Sequence, residues 1–321
     1  MKTWIGPILG VLAGLGGLGA TQQVKIDEGL PSYQAVSGVS GNLSSVGSDT
    51  MNNLMTLWAE QFRKFYPNVN IQVEGKGSST AVPAIVEGTA QLGPMSRPPK
   101  DSEIDLFERK YGYKPIVLRT AVDSLAVFVN KDNPIPYLTL EQVDAIFSKS
   151  RRRGGRPIQT WGDLGLTGEW ASKPISLYGR NSASGTYGFF KEHVLKNGDF
   201  KDEVKEQPGS ASVVLGVATD RTAIGYSGIG YATSSVRAVP LVDASGGTPV
   251  AATPENAYSG EYPLARFLLV VVNRAPSKPL DPLVREFLKL ILSRQGQEVT
   301  VKDGYFPLTA ELAQEERSKI D

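Results

Sequence analysis

The stretch Asn42–Gly75, NLSSVGSDTMNNLMTLWAEQFRKFYPNVNIQVEG, decides the fold class. NLSSVG reads as a short strand. Behind it Met51, Leu54, Trp58, Phe62 and Phe65 recur at helical spacing, until Pro67 ends the pattern. VNIQVEG then alternates, with Val69, Ile71 and Val73 on one face, as a strand does. Downstream, GKGSSTAVPAIVEGTA turns on glycine and opens a second helix, AQLGPMSRPP is a strand and turn, and SEIDLFERKYG is helical. The order β-α-β-α-β belongs to an α/β protein with a mostly parallel sheet flanked by helices.

Farther along, KPIVLRTAVDSLAVFVN (Lys114–Asn130) is β-rich and longer than an ordinary strand, and PLARFLLVVVN (Pro263–Asn273) is a second strong apolar strand. Between them lie a helix with Thr139 as cap and Gln142 three residues on, the basic loop RRRGGR (Arg151–Arg156), and strands at KPISLYGR and TAIGYSGIGYA. DPLVREFLKLILSRQGQEVTVKDGYFPLT is a helix pair and a final turn. The two β-rich runs separate a middle block from both ends. This arrangement implies two α/β lobes joined by crossing strands, with a cleft between. The expected division is residues 42–117 plus 262–321 for the first lobe and 118–261 for the second.

The composition narrows the chemistry. The chain has 321 residues and a net charge of +1, so no basic footprint for nucleic acid is present. It has no cysteine, which excludes disulfides, thiolate metal sites, a cysteine nucleophile and a lipid-modified N-terminal cysteine. A single histidine, His193, excludes a multi-histidine metal centre, and nothing in the sequence calls for a cofactor. Ile5–Ala20, IGPILGVLAGLGGLGA, is apolar, uncharged and rich in glycine, and follows Lys2. It reads as a signal peptide over residues 1–20, and so as export to a periplasm. Residues 21–41 are polar and patternless, and read as a flexible lead-in.

Four places share one chemistry: Ser48-Asp49-Thr50, Gly77-Ser78-Ser79, Ser96-Arg97, and Arg180 with Ser184-Gly185-Thr186. In three of them small hydroxyl residues open a helix after a strand or turn. A helix start carries free N–H groups and partial positive charge. Any one of these serines is explained by ordinary capping. Together with two arginines they describe a tetrahedral oxyanion held by neutral donors and few charges.

The segments IQVEGKGSST, QLGPMSRPP, LTLEQVDAIFS…TWGDLG and YGRNSASGTYGFF (Tyr178–Phe190) together resemble the phosphate-binding proteins of ABC-type phosphate uptake systems. The resemblance spans roughly Val46 to Pro307, with the motifs in the family's order. It implies the two-lobed periplasmic-binding-protein fold, two mixed-sheet α/β lobes on crossing hinge strands with the ligand in the cleft. It also implies inorganic phosphate as ligand, delivery to the permease and ATPase subunits of an ABC importer, a monomer, and no catalysis. Carried over residue by residue, Thr50 and the Met51 amide, Ser78, Arg180, Ser184, Gly185 and Thr186 are the phosphate contacts. Ser96 and Arg97, expected to reach the phosphate as well, stand where some relatives have an aspartate that accepts the proton of hydrogen phosphate, and Ser182 stands where some have an acid beside the site arginine. The proton acceptor therefore has to come from elsewhere; Asp49 is the first candidate and Asp123 the second.

Two rival readings belong beside this one. The same fold could take sulfate, molybdate or a phosphonate. Alternatively, Ser184 could serve a phosphate-ester hydrolase, but S-x-S-G-T is not the nucleophile elbow, and His193 lies nine residues on, pointing elsewhere on its helix. For the remaining features, His193, Trp161 and Trp170 read as packing residues and RRRGGR as a solvated loop.

Overall fold

A computed structural model describes residues 24–244 and 246–321; the signal-peptide expectation lies outside them. The strands are β1 Asn42–Gly47, β2 Asn70–Gly75, β3 Leu92–Met95, β4 Ile116–Asn130, β5 Leu138–Thr139, β6 Ser176–Arg180, β7 Lys205–Gln207, β8 Ala223–Gly228, β9 Val236–Ala238, β10 Leu241–Val242 and β11 Ala265–Val272. The helices are α1 Asn52–Arg63, α2 Ala81–Glu87, α3 Asp101–Tyr111, α4 Leu140–Phe147, α5 Gly185–His193, α6 Ser210–Thr219, α7 Pro254–Tyr258, α8 Pro282–Ile291, α9 Arg294–Lys302 and α10 Ala310–Ser318.

The main sheet runs β2-β1-β3-β11-β4-β8-β6-β7, with β9 paired to β4. β1 is parallel to β2 and β3, and β6 is parallel to β7 and β8, as α/β crossovers require. β11 and β4 run antiparallel between these two halves, so each lobe holds a mixed sheet. β4 belongs to both: Ile116–Ser124 pair with β11, and Leu125–Val129 pair with β8.

A small apolar cluster packs Ala126 and Phe128 of β4 against Val214 and Val217 of α6, and two larger ones form most of the lobes. One packs Leu54, Trp58 and Phe62 of α1 against Phe287 and Leu288 of α8, under β1, β3 and β11. The other gathers Phe147, Phe190, Trp161 and Trp170 against β8. The two tryptophans meet edge to face at 6.2 Å inside it. The first cluster reaches Ala121 and Val122, and the second includes Tyr262 and Leu264. The packing thus changes over a few residues beyond each of the expected cut points, 117/118 and 261/262.

The expectation of a flexible lead-in is corrected over its described part. Leu30 and Tyr33 are buried in the first core, and the Tyr33 hydroxyl donates to Glu286 Oε2 at 3.0 Å and lies 2.8 Å from the Tyr66 hydroxyl. Arg294 N–H donates to the Pro31 carbonyl. A segment without periodicity can still be held by two well-placed anchors, and periodicity is all that a pattern reading sees. The basic loop is also held down. Arg153 donates to the carbonyls of His193 and Val194, both at 2.6 Å, and Arg152 to that of Lys196. These cations satisfy the carbonyl end of α5 and complement its dipole.

Candidate functional site

The crossovers bring the starts of α1 and α5 face to face across the seam between the lobes. α1 follows the end of β1, and α5 follows the end of β6, the position where open α/β sheets hold their ligands. Thr50 and Thr186, from opposite lobes, lie with their hydroxyls 2.7 Å apart. Both are buried. Ser78 comes from the turn after β2. Its Oγ accepts the Ser96 N–H at 3.0 Å and lies 3.3 Å from the Ser96 hydroxyl. Ser48 Oγ–H donates to Ser96 Oγ at 3.0 Å. The lobes also touch through the Ser79 N–H, which donates to the Ala183 carbonyl at 3.1 Å.

The hydroxyls have a common polarity. Ser184 caps α5 by accepting the Tyr187 N–H at 3.3 Å, Ser78 accepts from Ser96 N–H, and Thr186 Oγ1 accepts from Arg266 Nη2 at 3.0 Å. Each of these donors is an N–H that cannot accept in return, so each hydroxyl keeps its own proton to donate, with Thr50 Oγ1 beside that of Thr186 and Ser96 Oγ beside that of Ser78. The first N–H groups of α5 add donors and the helix dipole. The arrangement favours an anion.

Gly185 makes this approach possible. A Cβ there would lie 2.2 Å from Ser78 Oγ and 2.6 Å from Ser96 Oγ. Gly185→Ala is therefore expected to hold the lobes apart and weaken anion binding by about 1–3 kcal/mol, roughly five- to 150-fold in Kd. A calorimetric titration of the variant with phosphate checks this; unchanged affinity would mean that the seam does not close on the ligand.

Arg180, at the end of β6, has 2% of its surface exposed. Nη1 donates to Ser210 Oγ at 2.8 Å and Nη2 to the Pro208 carbonyl at 3.3 Å, while Nε, also buried, has no hydrogen-bond partner among the described residues. Burial pulls the guanidinium below its ordinary pKa, and Asp49 opposes that effect. Asp49 Oδ2 lies 3.3 Å from Arg180 Nη2 and accepts the Ser210 N–H at 2.8 Å. α6 has Gly209 at its start and no side-chain cap of its own. Asp49 thus caps, from the other lobe, a helix that lacks a cap, and supplies Arg180 with the counter-charge that Ser182 cannot.

Two expected residues stand differently. Arg97 does not offer its charge to the cluster, because both terminal nitrogens are held by Glu103 at 2.7 and 2.8 Å. Its donors are occupied within its own lobe, which corrects the expectation that it reaches an anion. Asp123 is buried beside the cluster, but Oδ1 accepts the Ile229 N–H at 2.9 Å and Oδ2 is taken by Arg266. The Met51 side chain is in the core, and its N–H makes a long turn bond, 3.3 Å, to the Ser48 carbonyl.

Reading by pattern missed Arg266. It lies in the apolar run of β11 and is 2% exposed, and Nη1 donates to the Ser96 carbonyl at 2.8 Å. The signal was a lone arginine amid FLLVVV, since a charge buried in a strand demands a partner. Ser184 has no hydrogen bond to a histidine or lysine among the described residues. The His193 ring packs tilted, at 42°, against Phe189 with ring centres 4.1 Å apart, and burial lowers its pKa. A groove of about 720 Å³, lined in part by Ser182, Ser184, Tyr187 and Arg266, opens beside the cluster. Among the described residues no cluster of three or more His, Asp or Glu could hold a metal, and no helix is long and apolar enough to cross a membrane.

Comparison with known proteins gives this geometry a family. The model of the PBP superfamily domain matches residues 32–295. The phosphate-binding protein PstS of Pseudomonas aeruginosa is 59% identical over 315 residues, covering 98% of this chain and 97% of that protein. PstS of Staphylococcus saprophyticus is 28% identical over 285 residues, covering 88% and 85%. Among solved structures, a substrate-binding protein of Clostridium perfringens with bound phosphate is 28% identical, with a TM-score of 0.71 over 84% of this chain and 100% of that one. A phosphate transport receptor of Vibrio cholerae, 23% identical, shares the fold at a TM-score of 0.64 over 83% and 100%. The chain belongs to the PBP superfamily and, within it, to the phosphate-binding proteins of ABC-type phosphate transporters.

Proposed function

We infer that the protein binds inorganic phosphate between its lobes and serves an ABC-type phosphate transporter as its substrate-binding component. The observation that carries this reading is the buried set of Thr50, Ser78, Ser184 and Thr186, drawn from both lobes, with Ser78, Ser184 and Thr186 turned as donors, beside the buried Arg180. Phosphate presents four oxygens in a tetrahedron, and donors arriving from two sides enclose it. The N–H groups of Met51, Gly185 and Thr186 complete the set, with Ser96 holding Ser78 in place. Asp49 is the candidate acceptor for the phosphate proton.

Binding favours the closed arrangement to the extent that the anion contacts both lobes at once. The chain acts as a carrier and not as a hydrolase: among the described residues the Ser184 hydroxyl caps α5 and has no histidine or lysine hydrogen-bonded to it. It works in the periplasm after removal of residues 1–20, as a monomer, and hands phosphate to the permease and ATPase subunits of the importer.

Calorimetric titration with phosphate, sulfate, arsenate and molybdate at neutral pH tests the reading. Phosphate is expected to bind tightly, arsenate with similar geometry, and sulfate and molybdate far more weakly. Heat from another oxyanion with none from phosphate would assign a different ligand.

A further inference from the structure

Arg266 is the one buried arginine at the seam that touches Ser96, Thr186 and Asp123 at once. It is paired in register with Asp123 across β11 and β4, the strands that join the lobes. Nε donates to Asp123 Oδ2 at 2.9 Å, and Nη2 lies 2.7 Å from the same oxygen. Nη1 reaches the Ser96 carbonyl of the first lobe. Nη2 reaches Thr186 Oγ1 of the second, and the guanidinium carbon lies 5.2 Å from the ring centre of Phe189 on the same helix.

These contacts separate charge from direction. Asp123 neutralises the guanidinium at contact distance, so little net positive charge is left for an anion. What remains is geometry. A guanidinium is a rigid fork that only donates. Its bond to Thr186 occupies a lone pair of that hydroxyl and leaves the hydroxyl proton to be given away. The bond to Ser96 ties the same fork to the residue whose N–H turns Ser78. One side chain thereby orients a donor from each lobe, and its strand is the one about which the lobes meet.

We propose that Arg266, held by Asp123, is a positioning residue of the anion site, which makes Thr186 an obligate donor and keys the Ser96 turn to the start of α5. The proposal rests on the phosphate reading and adds a residue that acts without touching the ligand. It distinguishes direction from charge: lysine would keep the charge and the pairing with Asp123, but a point-charge ammonium cannot bridge the same three partners.

The test is a mutant cycle read by calorimetry with inorganic phosphate, using wild type, Arg266→Gln, Arg266→Lys, Thr186→Val and the Arg266→Gln/Thr186→Val pair. Each single variant is expected to weaken binding roughly tenfold, with Lys as poor as Gln, and the double variant to be no more than about twofold worse than Thr186→Val. Thr186→Ser, which keeps the hydroxyl, should retain most of the affinity. Penalties that multiply in the double variant, or an Arg266→Lys protein that binds like wild type, would overturn the proposal. Should Arg266→Gln fail to fold by circular dichroism, the Arg266→Lys/Thr186→Val cycle gives the same comparison. A wild type that binds no phosphate would overturn the functional reading and this inference together, whereas a binding wild type with multiplying penalties removes only the role of Arg266.

Discussion

Replacing Arg180 with alanine is expected to raise the phosphate Kd by roughly thirty- to several-thousand-fold, the range for truncating one partner of a buried, hydrogen-bonded charge pair. Arg180 is almost wholly withdrawn from water, and its Nε has no hydrogen-bond partner among the described residues. Asp49 and Ser210 keep the guanidinium charged and aimed, at 3.3 and 2.8 Å. Alanine would remove the charge that compensates the anion and leave Asp49 without its counter-ion. Arg152→Ala is the control. Arg152 is exposed, and its guanidinium donates to the Lys196 carbonyl at the far end of α5. Surface substitutions of this kind change stability by only about half a kcal/mol. Parallel titrations decide: equal losses in the two variants would take Arg180 out of the site.

The arginines also show what can be read from a sequence. Arg180 follows a strand and precedes hydroxyl residues at a helix start, so local pattern located it. Arg97 has the same local look, beside Ser96 after a strand. Its fate was decided by Glu103, six residues on, whose carboxylate also accepts the Lys100 N–H at the head of α3. A side chain with two candidate partners goes to the nearer fixed one, and the pattern does not say which is nearer. Arg266 was read as part of a strand because its neighbours are apolar, and its partners are 143, 170 and 80 residues away in the chain. Long-range pairing of that kind leaves no local trace.

The same division holds for the fold. β1, α1, β2 and the long β4 were legible because each has the period of its own element. The Thr139–Gln142 capping box is present, with bonds of 3.0 and 2.9 Å in the two directions. α6 was not seen. SASVVLGVAT buries one face, with Val213, Val214 and Val217, but its exposed face carries Ala211 and Leu215, so no polar face gives a 3.6-residue rhythm, and its β-branched content looks like strand. α10 was passed over because its apolar contacts are sparse. It is held largely by Arg119 of β4, which pairs with Glu315 and Glu316. The missing α6 matters for function, because its unpartnered start is what Asp49 caps.

That cap leads to the second large effect. Asp49→Asn is expected to erode the preference for phosphate over sulfate by about 1.5–3 kcal/mol, roughly ten- to 150-fold, the worth of hydrogen bonds to a charged group. Hydrogen phosphate brings a proton that needs an acceptor, and sulfate at the same pH brings none. The hydroxyls of Ser78, Ser184 and Thr186 are all turned as donors, so they suit both anions alike. Only a carboxylate distinguishes them. Both oxygens of Asp123 are taken, by Ile229 and Arg266, whereas Asp49 has Oδ2 engaged and Oδ1 without a hydrogen bond among the described residues. An asparagine would offer either a neutral carbonyl, a weaker acceptor for the ligand's O–H than a carboxylate, or an amide N–H that suits sulfate as well as phosphate. It would also weaken the cap on α6 and the hold on Arg180, so affinity for both anions should fall. The ratio isolates the proton: a common loss cancels in it, while loss of the acceptor penalises phosphate alone. Competition titrations of phosphate against sulfate, in wild type and variant, measure that ratio. If it stays constant while both affinities fall, Asp49 is a latch between the lobes and the acceptor role passes to Asp123, whose oxygens would then have to be released by a movement of Arg266.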